Sequence, residues 1–313
     1  MKGDSMMKWL SDFSLFMVAL VWGTTFVFIQ SAIDFLPPLF FNGVRFGLAG
    51  LVMFFILMLR KDHKTFSFHA IGYGSVLGLC LFMGYAFQTV GLLYTTISKS
   101  SFITGLNVVF VQLLAFVVLK IKPSFSAMIG SFTAALGLYL LTSTGEGTNW
   151  NRGDVLSLLC AIAFAFHIVL TGKLAHQASV LMLTTVQFFT VSILSFIGTL
   201  LLENWQKAFQ LSVFMKSSVF YSLLVTSLLA TAAAFFIQTF AQKYTSPPKV
   251  AVILSMEPVF GVLTAFFWVG ERLSWSEVAG SVLIFLSMVI SEVPIFQHFF
   301  LEKGRINKPK ERS

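Results

Sequence analysis

Residues 244–292 decide the fold, because an earlier stretch of the chain repeats them. They read YTSPPKVAVILSMEPVFGVLTAFFWVGERLSWSEVAGSVLIFLSMVISE, two apolar segments joined by a short polar turn. At an offset of 150 residues they align without a gap with YTTISKSSFITGLNVVFVQLLAFVVLKIKPSFSAMIGSFTAALGLYLL, residues 94–141. The residues shared at this offset include the polar pairs Gln88/Gln238, Thr95/Thr245, Lys99/Lys249 and Ser124/Ser274. Unrelated membrane helices share apolar residues by chance, but shared Gln, Thr and Lys indicate a duplication.

The composition is that of a protein whose main solvent is lipid. Hydrophobic residues make up 57% of the 313 and charged residues only 11%, against about 25% charged residues in a soluble domain. The net charge of +8 would point to nucleic acid only if the basic residues shared a soluble face, and here they lie in short loops and in the C-terminal tail. We therefore expect a membrane protein in contact with lipids and without a nucleic-acid partner.

The sequence holds no sign of a reaction centre. It contains no metal-ligand spacing, phosphate loop or nucleotide fingerprint. No set of nucleophile, base and metal ligands stands at a common depth, and the five histidines are scattered. We therefore expect no cofactor, no metal and no enzyme activity.

Ten stretches are apolar enough to form bilayer-spanning helices, each of which needs about 20 residues. They lie at about 13–33, 38–59, 69–92, 98–119, 125–143, 153–173, 180–202, 217–241, 249–269 and 275–295. This pattern predicts an all-α polytopic membrane protein with five helices in each half of the duplication. Its parts would be a cytoplasmic N-terminus at 1–12, a first five-helix repeat at 13–143, a linker at 144–152, a second repeat at 153–295 and a basic cytoplasmic tail at 296–313.

The distribution of Lys and Arg predicts the orientation, since cytoplasmic loops carry an excess of both. If the N-terminus is inside, most of these residues fall in cytoplasmic loops and in the tail. Both termini would then face the cytoplasm, and the protein would lie in the plasma (inner) cell membrane. Because each repeat has an odd number of spans, the second repeat would enter from the opposite side. Inverted repeats around a central cavity are a recurrent design of transporters.

Several short motifs occur in a fixed order along the two halves. They are Trp22-Gly23-Thr24-Thr25-Phe26, Leu36-Pro37-Pro38 and Arg45-Phe46 in the first half, and Glu257-Pro258-Val259-Phe260, Gly270-Glu271-Arg272-Leu273-Ser274 and Gly280 in the second. Over residues 13–293 the chain resembles the drug/metabolite transporter superfamily, specifically the EamA type with two tandem five-helix domains. The first half departs from the pattern, with Asn107-Val108 in place of Glu-Pro and Lys120-Ile121-Lys122 in place of Gly-Glu-Arg. The resemblance implies a bundle with a central cavity and the export or exchange of small metabolites or drugs.

Two ionisable residues inside the spans are candidates for coupling or gating. Glu257 lies in the ninth span, where a charge is costly and by default suggests function, and Pro258 after it favours a kink. This pair could bind a cationic group or a proton and bend during transport, or Glu257 could be a protonated or hydrogen-bonded packing residue. Arg45, about two turns into the second span, could reach the headgroups, pair with Glu257 or Asp34, or attract an anionic substrate.

Polar and aromatic residues at helical spacing lie on matched faces of the two repeats. An aromatic ring beside an amide suits the binding of an apolar or aromatic metabolite, although the same groups could serve as interhelical hydrogen bonds. At an offset of 142 or 150 the pairs include Asp12/Asp154, Trp22/Phe164, Thr25/His167, Arg45/Gln187, Tyr85/Phe235, Gln88/Gln238 and Asn107/Glu257. We predict a substrate cavity formed by Trp22, Thr25, Tyr85, Gln88, Asn107, Phe164, His167, Phe235 and Gln238.

The favoured function is a secondary transporter, an exporter of small metabolites such as amino acids or of drug-like compounds, working by alternating access as a monomer or homodimer. Protons are a candidate coupling ion, at Glu257 or His167. The alternatives are an importer or lipid flippase and, from a different class, a non-transporting scaffold or regulatory protein. Lys99 and Lys249 begin the fourth and ninth spans on opposite faces of the membrane, where they could snorkel or form a gate or salt bridge.

Overall fold

The computed structural model describes residues 2–60, 67–95, 100, 103–122, 124–142, 150–204, 206, 211–264, 266–267 and 274–292. The helices are α1 (Lys2–Ile33), α2 (Pro38–Leu59), α3 (Phe68–Gly91), α4 (Asn107–Leu119), α5 (Phe125–Thr142), α6 (Arg152–Leu174), α7 (Val180–Leu202), α8 (Leu211–Phe214), α9 (Ser217–Ser227), α10 (Ala234–Ala241), α11 (Pro247–Leu254), α12 (Glu257–Thr264) and α13 (Trp275–Glu292). No strand occurs within these ranges. The prediction of an all-α protein is confirmed for this part of the chain.

Six helices are long and apolar enough to cross a membrane. They are Ser5–Ile33, Pro38–Leu59, Phe68–Gly91, Arg152–Leu174, Val180–Leu202 and Ser217–Ala241, the last of which joins α9 to α10 through a π-helical turn at Leu228–Ala233. Shorter apolar helices follow at Ile103–Leu119, Phe125–Leu140 and Trp275–Ile290. The protein is therefore a polytopic membrane protein. The predicted linker at 144–152 and turn at 270–273 lie largely or wholly outside the described residues, as does the tail at 296–313.

The first helix begins earlier than predicted. The apolar pattern places the first span at 13–33, whereas α1 is already helical at Lys2. Helical hydrogen bonds form within the segment and need no apolar surroundings, so the polar residues before the span continue the helix. The stacked rings of Trp9 and Phe13, with centroids 5.7 Å apart, are one turn from each other in this extension.

Equivalent helices of the two halves make equivalent contacts. The second helix of one half packs against that of the other, α2 on α7, and the last helices pair in the same way, α5 on α13. The third helix of the first half, α3, packs on α6 and α7. Its counterpart, the span formed by α9 and α10, packs correspondingly on α1, and α9 also packs on α2. Exchanging the halves therefore preserves these contacts, as expected of a duplicated chain.

The ninth predicted span is divided, and so is its counterpart in the first half. Between α11 and α12 the chain turns at Ser255 and Met256, and a turn at Leu106 precedes α4 at the equivalent position. Pro258 follows the second break, as the sequence suggests, but Val108 occupies the matching place in the first half. A missing backbone donor is therefore not the common cause, because the helix without proline breaks as well. The breaks belong to the architecture that the halves share.

Helix α2 is capped by the other half of the chain. It begins with Pro38, and its next two amides have no partner one turn earlier in the helix. The carboxylate of Glu203, at the end of α7, accepts from both: Leu39 N lies 2.7 Å from Oε1 and Phe40 N lies 3.0 Å from Oε2. An anion at a helix N-terminus is favourable, so this contact fixes the start of α2 against the end of α7.

Candidate functional site

One cavity lies where α1, α3, α6 and α10 face the two helix breaks. It is lined by Trp22, Tyr85, Gln88, Thr104, Gly105, Asn107, Phe164, His167, Ile168, Phe235, Gln238, Leu254, Ser255, Glu257 and Pro258. The structure thus brings together every residue predicted from the sequence for the cavity, coupling or gating, except Thr25 and Arg45. Discontinuous helices are common at the binding sites of membrane transporters, where the unwound backbone faces a cavity.

The sequence interpretation omitted several lining residues at the breaks themselves. Gly105 and Ser255 are equivalent at the offset of 150, and so are Thr104 and Leu254. These positions directly precede the pair Asn107/Glu257, which the repeat did indicate. Applying the offset to the neighbours of Glu257 would have found them. Ile168 follows His167 and carries no polar signal, so only the tertiary structure identifies it.

Four aromatic side chains form a continuous wall of the cavity. The ring centroids of Trp22 and Phe235 are 5.0 Å apart, those of Tyr85 and Phe164 are 5.3 Å apart, and those of Tyr85 and Phe235 are 6.2 Å apart. His167 meets Phe235 edge to face at 5.8 Å. Such spacings are typical of favourable aromatic contacts. Trp22 is equivalent to Phe164 in the repeat, and Tyr85 is equivalent to Phe235. Each half of the chain therefore contributes two rings to the wall, from equivalent positions.

The π-helical turn at Leu228–Ala233 accepts hydrogen bonds from Trp22 and Arg45, two of the residues that the sequence predicted for the site. The indole Nε1 of Trp22 donates to the carbonyl of Ala230 at 2.8 Å. The guanidinium of Arg45 donates from Nε to Thr231 Oγ1 at 2.6 Å and from Nη2 to Ala230 O at 3.5 Å. Turns of this kind occur often at functional sites, and this one connects α1 and α2 to the second half of the chain.

Arg45 lies behind the cavity wall. Its side chain is 1% exposed, and its Cζ lies 5.0 Å from the ring centroid of Tyr85 and 5.4 Å from that of Phe46. The suggested snorkelling to the headgroups is therefore wrong for this structure. Within the described part of the chain Arg45 forms no ion pair with Glu257 or Asp34, although Arg45 and Glu257 are close enough to interact electrostatically. Its guanidinium therefore packs against Tyr85, a residue of the cavity wall.

Thr25 and His167 are equivalent in the repeats but serve different contacts. Thr25 is 3% exposed, and its Oγ1 donates to the carbonyl of Trp22 at 2.9 Å, so it supports the helix rather than lining the cavity. His167 lines the cavity, and its Nε2 lies 3.0 Å from Oε1 of Gln187. Gln187 is the equivalent of Arg45. Among the described residues the contact between these two positions therefore forms in the second half alone, since Thr25 bonds Trp22 O and Arg45 bonds Thr231.

Two further polar contacts tie the halves together away from the cavity. In α1, ten residues after its first residue Lys2, the carboxylate of Asp12 accepts from Lys249 Nζ at 2.6 Å and from Thr245 Oγ1 at 2.9 Å. At the start of α6, the carboxylate of Asp154 accepts a hydrogen bond from Thr95 Oγ1 at 2.7 Å. Asp12 and Asp154 are equivalent in the repeat, as are Thr245 and Thr95. Lys249 thus forms a salt bridge, the alternative to snorkelling; its equivalent, Lys99, lies outside the described residues.

Comparisons with known proteins agree on one family. The model of the EamA-like transporter family matches residues 9–143 and 151–292. An uncharacterised transporter of Archaeoglobus fulgidus is 34% identical over 281 residues, 90% of this chain and 85% of its own. A probable amino-acid metabolite efflux pump of Salmonella typhimurium is 25% identical over 285 residues, 89% of this chain and 93% of its own.

Two other similarities are more distant. An S-adenosylmethionine/S-adenosylhomocysteine transporter of Chlamydia muridarum is 26% identical over 212 residues, 63% of this chain and 65% of its own. A solved crystal structure with 16% sequence identity superimposes with a TM-score of 0.77, covering 90% of this chain and 98% of its own. At that identity the superposition shows a common fold.

Proposed function

The chain belongs to the EamA-like transporter family, and from that premise we propose that it is a secondary active transporter that exports small metabolites, amino acids or related compounds, or drug-like compounds by alternating access. The name of the Salmonella relative supports export of amino-acid metabolites, and that of the Chlamydia relative supports a small metabolite as substrate. The working unit is a ten-span bundle of two inverted repeats in the plasma membrane, with both termini cytoplasmic.

The observation that carries this proposal is the pair of equivalent contacts at Asp12 and Asp154. Asp12 is ten residues before Trp22, and Asp154 is ten residues before Phe164, so each lies about 15 Å along its helix from the cavity wall. Each joins one half of the chain to the other, Asp12 to Thr245 and Asp154 to Thr95. A transporter of this kind needs two closures, one on each side of its site.

The connections of the chain support placing the two contacts at opposite ends of the bundle. Helices α1, α2 and α3 are joined by short segments and therefore alternate in direction, so the start of α1 and the end of α3 lie at opposite ends. The start of α6 meets the end of α3, where a Cβ built on Gly153 would lie 2.6 Å from Gly91 O. Asp154 therefore closes the end opposite to Asp12. Breaking either contact opens the cavity on one side.

The test measures from which side the cavity is reached. Cys80 and Cys160 are replaced by Ala, Gln88 in the cavity is replaced by Cys, and an impermeant thiol reagent is added to one side of sealed vesicles at a time. We expect Asp12→Asn to increase labelling from the side of Asp12, and Asp154→Asn to increase it from the other side. Loss of the partly buried Asp12–Lys249 ion pair, about 1 kcal/mol, corresponds to a change of about fivefold. Asp154→Asn weakens a buried hydrogen bond to a charged group, which contributes about 1.5 kcal/mol or more, so its change should be at least as large.

Controls separate gating from general loosening. Thr245→Val removes one hydrogen bond and leaves the Asp12–Lys249 salt bridge, so its shift should be smaller than that of Asp12→Asn. Thr95→Val removes the hydrogen bond to Asp154, so its shift should be at least as large as that of Asp154→Asn and in the same direction. Equal increases from both sides, or none, would refute alternating access through these contacts. A scaffold or regulatory protein predicts no side dependence, and a flippase predicts that lipid probes are moved in reconstituted vesicles.

A further inference from the structure

Several polar groups that line the cavity already have partners within the protein. Three lining groups have already donated their hydrogens to the protein. Trp22 Nε1 donates to Ala230 O, Thr104 Oγ1 to Cys160 Sγ at 3.8 Å, and Ser255 Oγ to Val252 O at 2.6 Å. Each hydroxyl oxygen keeps lone pairs that can accept. Thr104 and Ser255 can therefore only accept from a ligand, whereas the side-chain amides of Gln88, Asn107 and Gln238 carry both donors and acceptors.

Two acceptors at the cavity have no partner in the described part of the chain. The side chain of Gln238 is 1% exposed, and its buried Oε1 has no hydrogen bond. The carboxyl group of Glu257 lines the same cavity, and its side chain forms no hydrogen bond or ion pair with another described residue. A buried acceptor without a donor is costly. Both groups therefore favour a ligand that brings hydrogen-bond donors.

The aromatic wall favours a positive charge. The faces of Trp, Tyr and Phe rings carry negative potential and attract ammonium groups within about 6 Å of the ring centroid. Trp22, Tyr85, Phe164 and Phe235 line one cavity, with centroids of neighbouring rings 5.0 to 6.2 Å apart. The Tyr85 ring already carries the Arg45 guanidinium, which leaves the rings of Trp22, Phe164 and Phe235 for a cation. The same rings provide apolar surface for an aliphatic or aromatic body. A carboxyl group beside this wall completes a site for an amphipathic cation.

An anionic ligand finds no free positive group in the lining. His167 faces Gln187 through Nε2. Arg45 is 1% exposed and gives its Nε and Nη2 to Thr231 and Ala230. Its charge lowers the cost of keeping Glu257 charged within the membrane, and its guanidinium packs against the Tyr85 ring, with Cζ 5.0 Å from the ring centroid. Among the described lining residues Glu257 is the one acidic or basic side chain of the Asp, Glu, Lys and Arg class.

We propose that the site recognises an organic amine in its protonated form, with the ammonium group at Glu257 and Gln238 Oε1 and the apolar body on the aromatic wall. This inference rests on the proposed function, which assigns the cavity as the substrate site. It narrows the substrates from small metabolites in general to those that carry a cationic nitrogen.

The experiment compares three probes that share one phenyl ring and differ in charge. Phenethylamine is cationic at neutral pH, phenethyl alcohol is neutral, and hydrocinnamate is anionic. Their affinities for the purified full-length protein in detergent are measured by calorimetry and by the quenching of tryptophan fluorescence. We expect phenethylamine to bind at least about tenfold more tightly than the other two, which corresponds to about 1.4 kcal/mol.

Matched variants locate the charge that is responsible. Glu257→Gln keeps the size and removes the charge, so the advantage of phenethylamine over phenethyl alcohol should fall to about twofold or less. The control is Glu277→Gln, outside the cavity, where the carboxylate bonds Ser274 at the start of α13. Glutamine also serves in that capping arrangement, so this variant should retain the full preference for the amine. Phe164→Leu should weaken binding of phenethylamine.

The affinities of the three probes for the wild-type protein test the amine proposal even if a variant does not fold. The amine proposal is overturned if phenethyl alcohol or hydrocinnamate binds as tightly as phenethylamine, if no probe binds up to its solubility limit, or if Glu257→Gln leaves the preference unchanged. Counterflow of the best-bound probe in reconstituted vesicles tests transport separately. If hydrocinnamate binds and shows counterflow, the proposed transport function is supported and the preference for a protonated amine is refuted. If phenethylamine binds but is not transported, the preference for a protonated amine is supported and the proposed transport function is refuted.

Discussion

The packing of α1 against α12 allows a sharp test at Gly23. A Cβ built there would lie 2.5 Å from Glu257 O, 2.6 Å from Phe260 Cβ and 2.9 Å from Gly261 N. Ordinary van der Waals contact begins near 3.4 Å, so the two helices must separate by about 0.9 Å to admit a methyl group. Two of the three atoms belong to the backbone and cannot rotate away. The contact therefore requires glycine.

We expect Gly23→Ala to destabilise the protein. Overpacking costs about 1 to 3 kcal/mol, and approaches under 3 Å to two backbone atoms place this substitution at about 2 to 3 kcal/mol. The higher helix propensity of alanine returns about 1 kcal/mol. The net loss of about 1 to 2 kcal/mol should lower the unfolding temperature in detergent by at least about 2 °C. Because Glu257 O is the atom nearest to the new methyl group, the cavity should distort too, and affinity for a ligand that contacts Glu257 should fall.

The matched control is Gly72→Ala in α3. A Cβ there has no atom within 4 Å, so the substitution should leave the unfolding temperature unchanged or raise it, by up to about 1 kcal/mol of stability. Both temperatures are measured by scanning fluorimetry at equal protein and detergent concentrations. If Gly23→Ala unfolds at or above the wild-type temperature, the close packing of α1 on the break between α11 and α12 is wrong.

Two further substitutions test contacts between the halves of the chain. Trp22→Phe keeps an aromatic ring but removes the donor to Ala230 O, so the unfolding temperature should fall by an amount matching about 1 kcal/mol; an unchanged temperature, measured in the same way, would contradict this hydrogen bond. Glu203→Ala removes the carboxylate that caps α2 and should cost about 0.5 to 2 kcal/mol, whereas Glu203→Gln keeps an acceptor oxygen and should cost less. An unchanged unfolding temperature in Glu203→Ala would show that the cap contributes nothing.

The repeat explains why much of the candidate site could be predicted without coordinates. An offset of 150 residues links Tyr85 to Phe235 and Asn107 to Glu257, and all four line one cavity. The two halves of a duplicated bundle meet around a common axis, so equivalent positions that face this axis meet each other. Polarity in an apolar helix then marks which positions face inward, because an amide or carboxyl group exposed to lipid is costly.

The same reasoning fails where the outcome depends on a partner from a distant part of the chain. Arg45 could reach lipid, an acid or a substrate by sequence alone, and it binds Thr231 because a π-helical turn of the other half presents the hydroxyl there. Lys249 meets Asp12, 237 residues away. Thr25 occupies a promising position, yet its hydroxyl bonds its own helix. Each side chain had several feasible partners, and helix placement selected one.

By itself the sequence determined that the chain is helical, lies in the membrane and is built twice, because apolar length and shared polar residues are properties of a segment and of its offset. Only the tertiary structure decided where the helices break and which donor meets which acceptor. The break before α4 has no proline to indicate it, and the buried Oε1 of Gln238 is found without a donor only once the surrounding helices are placed. Those outcomes depend on distances between segments, which apolar periodicity does not encode.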